Sequence, residues 1–162
     1  MRIYFAADHA GFELKKELME FARGLGHEVE DRGAFEMNTE DDYPQFVAEA
    51  ARKLAADAAA GLDSRAVVLG ASGQGEAMVA NRFKGVRCAL YYGSASRTQV
   101  DASGKELDLL TSTRWHNNAN ALSLGARFLS IDEAKDALSK WLSAGFSAAE
   151  PHIRRTKQID EV

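Results

Sequence analysis

The chain has a single cysteine, Cys88, so no internal disulfide can form. That residue lies in the apolar run "VRCALYY", where a free cysteine reads as a buried strand position. Long basic runs are absent and the formal net charge is −4. Phosphate-backbone binding relies on clustered Lys and Arg, so nucleic acid is excluded as the main partner. The pair Arg154 and Arg155 is a small basic cluster, enough for one small anion. No apolar run approaches membrane-spanning length, and "MRIYFAADHAG" meets Asp8 before an apolar core of signal-peptide length develops. The expectation is a cytoplasmic protein with no membrane partner. The 4 histidines lack the close pairing of a zinc motif such as H-E-x-x-H, so no metal is expected. Internal repeats, low-complexity tracts and linkers are also missing.

What the chain does contain is 162 residues, 46% of them hydrophobic and 27% charged, which suits one domain spanning residues 1–162. Apolar runs alternate with helix-period segments. "RIYFAA" precedes Leu14, Leu18, Phe21 and Leu25 at helical spacing before Gly26. "HEVEDRG" precedes a helix from about Tyr43, with Val47, Ala50, Ala51 and Leu54 on one face. "RAVVLGA" leads to a helix opening near Gly75, "GVRCALYYG" follows, and "NALSLGARFLS" leads to a helix with Ala134, Leu138, Trp141 and Leu142 inward. Parallel neighbours need crossover connections, so this rhythm predicts a five-stranded, mostly parallel sheet. The fold class is α/β, a Rossmann-like three-layer α/β/α sandwich. Its ligands bind beyond the carboxyl ends of the strands. Residues 94–115 break the rhythm and read as a short helix plus a surface excursion able to serve as a lid. Pro151 signals a final helix.

The stretch richest in chemistry is "GASGQGEAMVANR", Gly70 to Arg82. No Gly-Lys-Ser/Thr follows as in a P-loop, and the third glycine of a dinucleotide loop would fall at Met78. A nucleotide site is unsupported. What remains is a turn of exposed N–H donors containing Ser72, Gly73 and Gly75, with Glu76 at the helix mouth. That combination suits a substrate developing negative oxygen charge beside an acidic carbon proton. Glu76 could equally complement the helix dipole, and spacing does not choose. In "DHAG", Asp8 reads as an N-cap or an acid, while His9 can donate to a phosphate or hydroxyl. "RWHNNANALSLGARF" places His116 and Asn117 ahead of the fifth strand, where polar residues are ordinarily turn material, and Arg127 near that strand's far end.

In this order, "AADHAGFELK", "DDYP", "GASGQGEAMVANRFKGVRCAL", "HNNANALSLGAR" and "HIRR" resemble the type-B ribose-5-phosphate isomerase family, which includes galactose-6-phosphate isomerase subunits and tetrulose-phosphate isomerases. The resemblance implies interconversion of phosphorylated aldoses and ketoses without metal or organic cofactor. It also implies a homodimer or homotetramer with sites shared between subunits, the tail from about 150 to 162 packing on the partner. Many members use a cysteine as base after the glycine loop; another branch has a glutamate there, matching Glu76. By the resemblance, Glu76 moves the proton between C1 and C2 through an enediolate, and amides around Gly73 and Gly75 stabilise the oxyanion. Asp8, with Ser72 or His116, assists ring opening. Tyr43 lines the sugar pocket, Asn117 binds a sugar hydroxyl or the oxyanion, and His9, Arg127 and Arg155 hold the phosphate.

Two departures bear on the substrate. The link of residues 89–115 between Cys88 and His116 is longer than in typical members, and Pro151 stands where many carry a phosphate-binding arginine. Both lie toward the sugar or phosphate end, so tetrose, pentose and hexose phosphates all stay open beside ribose 5-phosphate. The rival expectation is a catalytically silent sugar-phosphate-binding subunit of a hetero-oligomeric isomerase. Retention of Asp8, Ser72, Glu76 and His116 favours the enzyme.

Overall fold

In the computed structural model, which describes residues 1–161, the five apolar runs form one parallel sheet. Its strands are β1 (Arg2–Ala7), β2 (Glu28–Asp31), β3 (Ser64–Gly70), β4 (Cys88–Tyr91) and, further along the chain, β7 (Ala121–Gly125). The order is β2-β1-β3-β7-β4, every pairing parallel. β3 and β7 are buried along their whole length, which is why they read as continuous apolar runs rather than alternating ones.

Alternation along the strands sorts the core into two layers. Ile3, Phe5, Val67, Leu69, Leu122 and Leu124 pack with Leu14 and Leu18 of α1 (Phe12–Gly24) and with Leu138 and Trp141 of α5 (Ile131–Ser143). Tyr4, Ala6, Ala66 and Val68 pack with Val47, Ala50, Ala51 and Leu54 of α2 (Tyr43–Ala59) and Ala80 of α3 (Gln74–Ala80). Leu25 departs from its predicted stripe: α1 ends at Gly24, and Leu25 is exposed as the residue after it. Cys88 is half-buried rather than buried, because β4 is an edge strand. Burial, and secondarily the Glu76 carboxylate, push its thiol up to about 12.

The segment 94–115 holds more order than the sequence implies. An antiparallel hairpin, β5 (Gln99–Val100) with β6 (Glu106–Leu107), precedes α4 (Leu109–Asn117). Asp108 caps α4 by accepting from the Thr111 amide at 2.9 Å. The buried Arg114 ties the end of that helix to the approach to β7, donating to Asn118 Oδ1 at 2.9 Å, the Ala119 carbonyl at 2.6 Å and the Ala144 carbonyl at 3.2 Å. Its position fixes where His116 and Asn117 point out of the last turn. α6 (Glu150–Ile159) starts with Pro151 in its first turn, as the sequence predicts, and buries none of its residues within one chain. No helix among the described residues is long and apolar enough to cross a membrane.

Candidate active site

The carboxyl ends of β1, β3 and β7 hold most of the residues picked out by sequence. β3 stops at Gly70 and the chain turns into α3 through Gly73, whose φ of 75° is a conformation glycine adopts without strain. Three contacts from the end of β7 staple this loop. The buried Ser123 hydroxyl donates to the Gly73 carbonyl at 2.6 Å, and the Ala126 and Arg127 amides donate to the Gly70 and Ala71 carbonyls at 2.8 and 3.1 Å. The Ser72 hydroxyl accepts from the Gln74 amide at 3.3 Å. The Gly73 and Gly75 amides have no acceptor among the described residues. Fixed, open donors of this kind suit an anionic oxygen.

Glu76 folds back into the mouth of this loop and is only 4% exposed. Burial raises its pKa and the Asp8 charge adds to the rise, while its own backbone amide opposes it. Desolvation therefore outweighs the helix-start effect, and the carboxylate is a stronger base than a solvated one. Room for it depends on Gly70: a Cβ there would lie 1.8 Å from Oε1. We expect Gly70→Ala to keep the fold, since β3 tolerates a methyl elsewhere, and to displace the carboxylate. Misplacing a reacting group by an ångström costs on the order of 100-fold, so steady-state kcat should drop by about that much with the circular dichroism spectrum unchanged.

Asp8, also buried, uses Oδ1 to accept the Ala10 and Gly11 amides at 3.0 and 3.3 Å. Asp8 thus closes the turn ahead of α1 rather than capping the helix, whose N-cap is Gly11, and its Oδ2 is left over for other work. His9 Nδ1 sits 2.7 Å from Asp41 Oδ1, which also accepts the His9 amide at 3.1 Å. The hydrogen bond that the His9 ring donates to Asp41 raises the His9 pKa; burial and nearby Arg127 oppose it. A histidine so paired keeps its positive charge to higher pH, which suits a phosphate ligand. Tyr43 closes the other side, its hydroxyl lying 2.4 Å from where a Cβ on Gly75 would be. Donor atoms of Asp8, His9 and Asp41 fall within 4.8 Å of one another, close enough for a cation. Asp8 Oδ1 and His9 Nδ1 are already engaged, however, by the Ala10 and Gly11 amides and by Asp41.

Sequence reading passed over Asp41 and Ser123. The first carried a signal, two adjacent acids just before a helix; the second, a serine inside an apolar strand, carried none beyond its polarity.

His116, Asn117 and Arg155 do not join this cluster within one chain. Asn117 ends α4 just ahead of β7, whereas Glu76 lies over Gly70, the register partner of Gly125 at the far end of β7. At about 3.3 Å per residue, the length of β7 sets these two levels about 13 Å apart. His116 instead opens on a groove of about 720 Å³ shared with Asp101, Asn117, His152 and Arg155. The His116 and His152 rings meet edge to face at 4.8 Å. Pro151 lines the same groove without a charge, and Arg154 is turned to Glu150, 2.8 Å away, so it does not replace the missing arginine there.

A carboxylate kept basic by burial, a loop with open amides beside it and cationic groups at the rim suit proton transfer on an anionic substrate; fold and site together have the make-up of an acid–base enzyme of the α/β class. The chain matches the sequence model of the Ribose/Galactose Isomerase family over residues 3–159, and it belongs to that family. Ribose-5-phosphate isomerase B of Mycobacterium tuberculosis is 37% identical over 161 residues, covering 99% of this chain and 89% of that one. The Escherichia coli protein of the same name is 27% identical, covering 99% and 95%. Among solved structures, ribose-5-phosphate isomerase B of Mycoplasma genitalium, with bound ribulose 5-phosphate, superposes with a TM-score of 0.83 at 29% identity, over 99% of this chain and 94% of that one. The protein is an isomerase.

Proposed function

We propose that the chain is a cofactor-independent aldose–ketose isomerase of a small sugar phosphate, with ribose 5-phosphate and ribulose 5-phosphate as the leading pair. The observation that carries this reading is the buried Glu76 carboxylate, packed over Gly70 in the same loop whose Gly73 and Gly75 amides are open. His9 and Arg127 hold the phosphate at the rim. Asp8, with Ser72 or with His116 of a second copy, assists ring opening. Glu76 then takes the C2 proton of the open aldose while the C1 carbonyl oxygen gains charge against the amides. The resulting enediolate takes a proton back at C1, and the hydroxyl proton of O2 passes to O1. Proton abstraction beside a carbonyl needs oxyanion stabilisation as much as it needs a base, and the site offers both.

The working unit in this proposal is a cytoplasmic homodimer or homotetramer of one isomerase domain, residues 1–162. Support comes from the separation of His116, Asn117 and Arg155 from Glu76 within one chain, and from α6, none of whose residues is fully buried against its own chain. A second copy docking by α6 delivers these groups to the cleft. The experiment is an assay of four-, five- and six-carbon aldose and ketose phosphates, followed by NMR. Formation of the isomer from the five-carbon pair supports the reading and names the chain length; binding of those sugars without conversion sinks it in favour of a silent binding subunit.

A further inference from the structure

We propose that the β5–β6 hairpin is a positioning element for His116: Gln99 and Asp101 fix its ring and set the tautomer of the neutral imidazole, with the proton on Nε2. The inference rests on the isomerase reading only in giving His116 work to do. Its own basis is the contact set. The Gln99 side-chain Nε2 lies 2.8 Å from Ser112 Oγ and 3.1 Å from His116 Nδ1. An amide nitrogen donates and never accepts, so Nδ1 must be the acceptor and the ring proton belongs on Nε2. On that side waits Asp101 Oδ2, 3.9 Å from His116 Nε2. The gap exceeds a direct hydrogen bond and suits one bridging water that accepts from Nε2–H and donates to the carboxylate.

Asp101 is itself held rigidly. Oδ1 accepts the Ser103 amide at 2.8 Å, the Ser103 hydroxyl at 2.6 Å and the Lys105 amide at 3.0 Å, and Oδ2 accepts Trp115 Nε1 at 3.1 Å. These donors hold its carboxyl well below the usual carboxylate range, so it stays an anion. Lys105 lies 3.2 Å over the Trp115 ring, which pins the hairpin to α4 next to His116. The Ser112 hydroxyl of α4 stands 3.5 Å from the same Nδ1, and from α6 come the His152 ring, hydrogen-bonded to the Ser147 hydroxyl, and Arg155 in the same groove. The long link between Cys88 and His116 thus carries an amide and a carboxylate to the two ring nitrogens of one histidine. A histidine acting on a substrate depends on such partners for its tautomer and aim.

The test uses the full-length protein. Two-bond proton–nitrogen NMR of the ¹⁵N-histidine-labelled enzyme, at a pH of about 9 where imidazoles are neutral, reads the tautomer directly. The wild type should show Nε2–H at His116. Gln99→Glu presents only acceptors, so it should move the proton to Nδ1, and Gln99→Met should lose the preference. In both variants kcat should fall roughly tenfold, a small part of the 10²–10⁴ that a positioned acid or base supplies. Gln99 is exposed, so neither change threatens folding. An Nδ1–H wild type, or variants with unaltered tautomer and kcat, would overturn the proposal. Should the wild type convert no sugar phosphate, the isomerase reading falls while the tautomer still decides the clamp.

Discussion

Glu76→Gln should lower kcat roughly 10²–10⁴-fold, the contribution of a positioned general base, while the dissociation constant for the sugar phosphate changes little. Glutamine keeps the shape that Gly70 accommodates and removes only the proton acceptor. The same substitution should raise the melting temperature at neutral pH. Burial holds the Glu76 pKa above its ordinary 4.5, so between the two values the folded chain binds a proton that the unfolded chain has released. Stability contributed by this group therefore falls as pH rises through that window. A neutral glutamine escapes the penalty, so the melting gap between variant and wild type should close below about pH 4, where glutamate is protonated in both states. Activity should show the opposite slope, rising with pH along an acidic limb displaced upward from 4.5. A variant with near-normal turnover would move the base elsewhere, with Asp8 next in line.

The second large effect is complementation between two crippled proteins. Glu76→Gln and His116→Ala should each be nearly inactive alone, yet a mixture allowed to exchange subunits should regain about a quarter of wild-type activity, as expected for random pairing in a two-fold assembly. Half of the dimers are mixed. Within a mixed dimer one site should collect both defects and the other neither, if, as proposed above, Glu76 of one copy works with His116 of its partner. The geometry behind this is the length of β7 between the two levels. Activity that stays at the mean of the two single variants would mean that each chain completes its own site.

Much of this was legible in the residues. Central strands announce themselves because both faces are covered, so "IYFAA", "AVVLG" and "ALSLG" are apolar throughout. Helix stripes such as Val47, Ala50, Ala51 and Leu54 repeat at the spacing of one buried face. Glu76 stood out because an acid at a glycine-rich helix mouth needs a reason. Other features depend on contacts between distant segments. The hairpin of Gln99–Val100 with Glu106–Leu107 has strands too short to show alternation, and only Leu107 among the four is buried. Lys15 sits on the inner face of α1 with no exposure at all, because Asp31 and the Ala34 carbonyl, each 2.6 Å away, satisfy its ammonium. Nothing local marks such a lysine as buried. The Asp41 bond to His9 and the Ser123 bond to the glycine loop are of the same kind. Sequence spacing likewise left Glu76 between a dipole complement and a base, and its burial, a tertiary fact, raises its basicity.

The most direct test of Glu76 as the base is to run ribose 5-phosphate with wild type and Glu76→Gln in deuterated water and follow carbon-bound deuterium by NMR. Enediolate chemistry through Glu76 predicts solvent deuterium at C1 of the ketose in the wild-type reaction, and loss of both exchange and conversion in the variant. Undiminished conversion by the variant, with the original C2 hydrogen fully retained at C1, would contradict it.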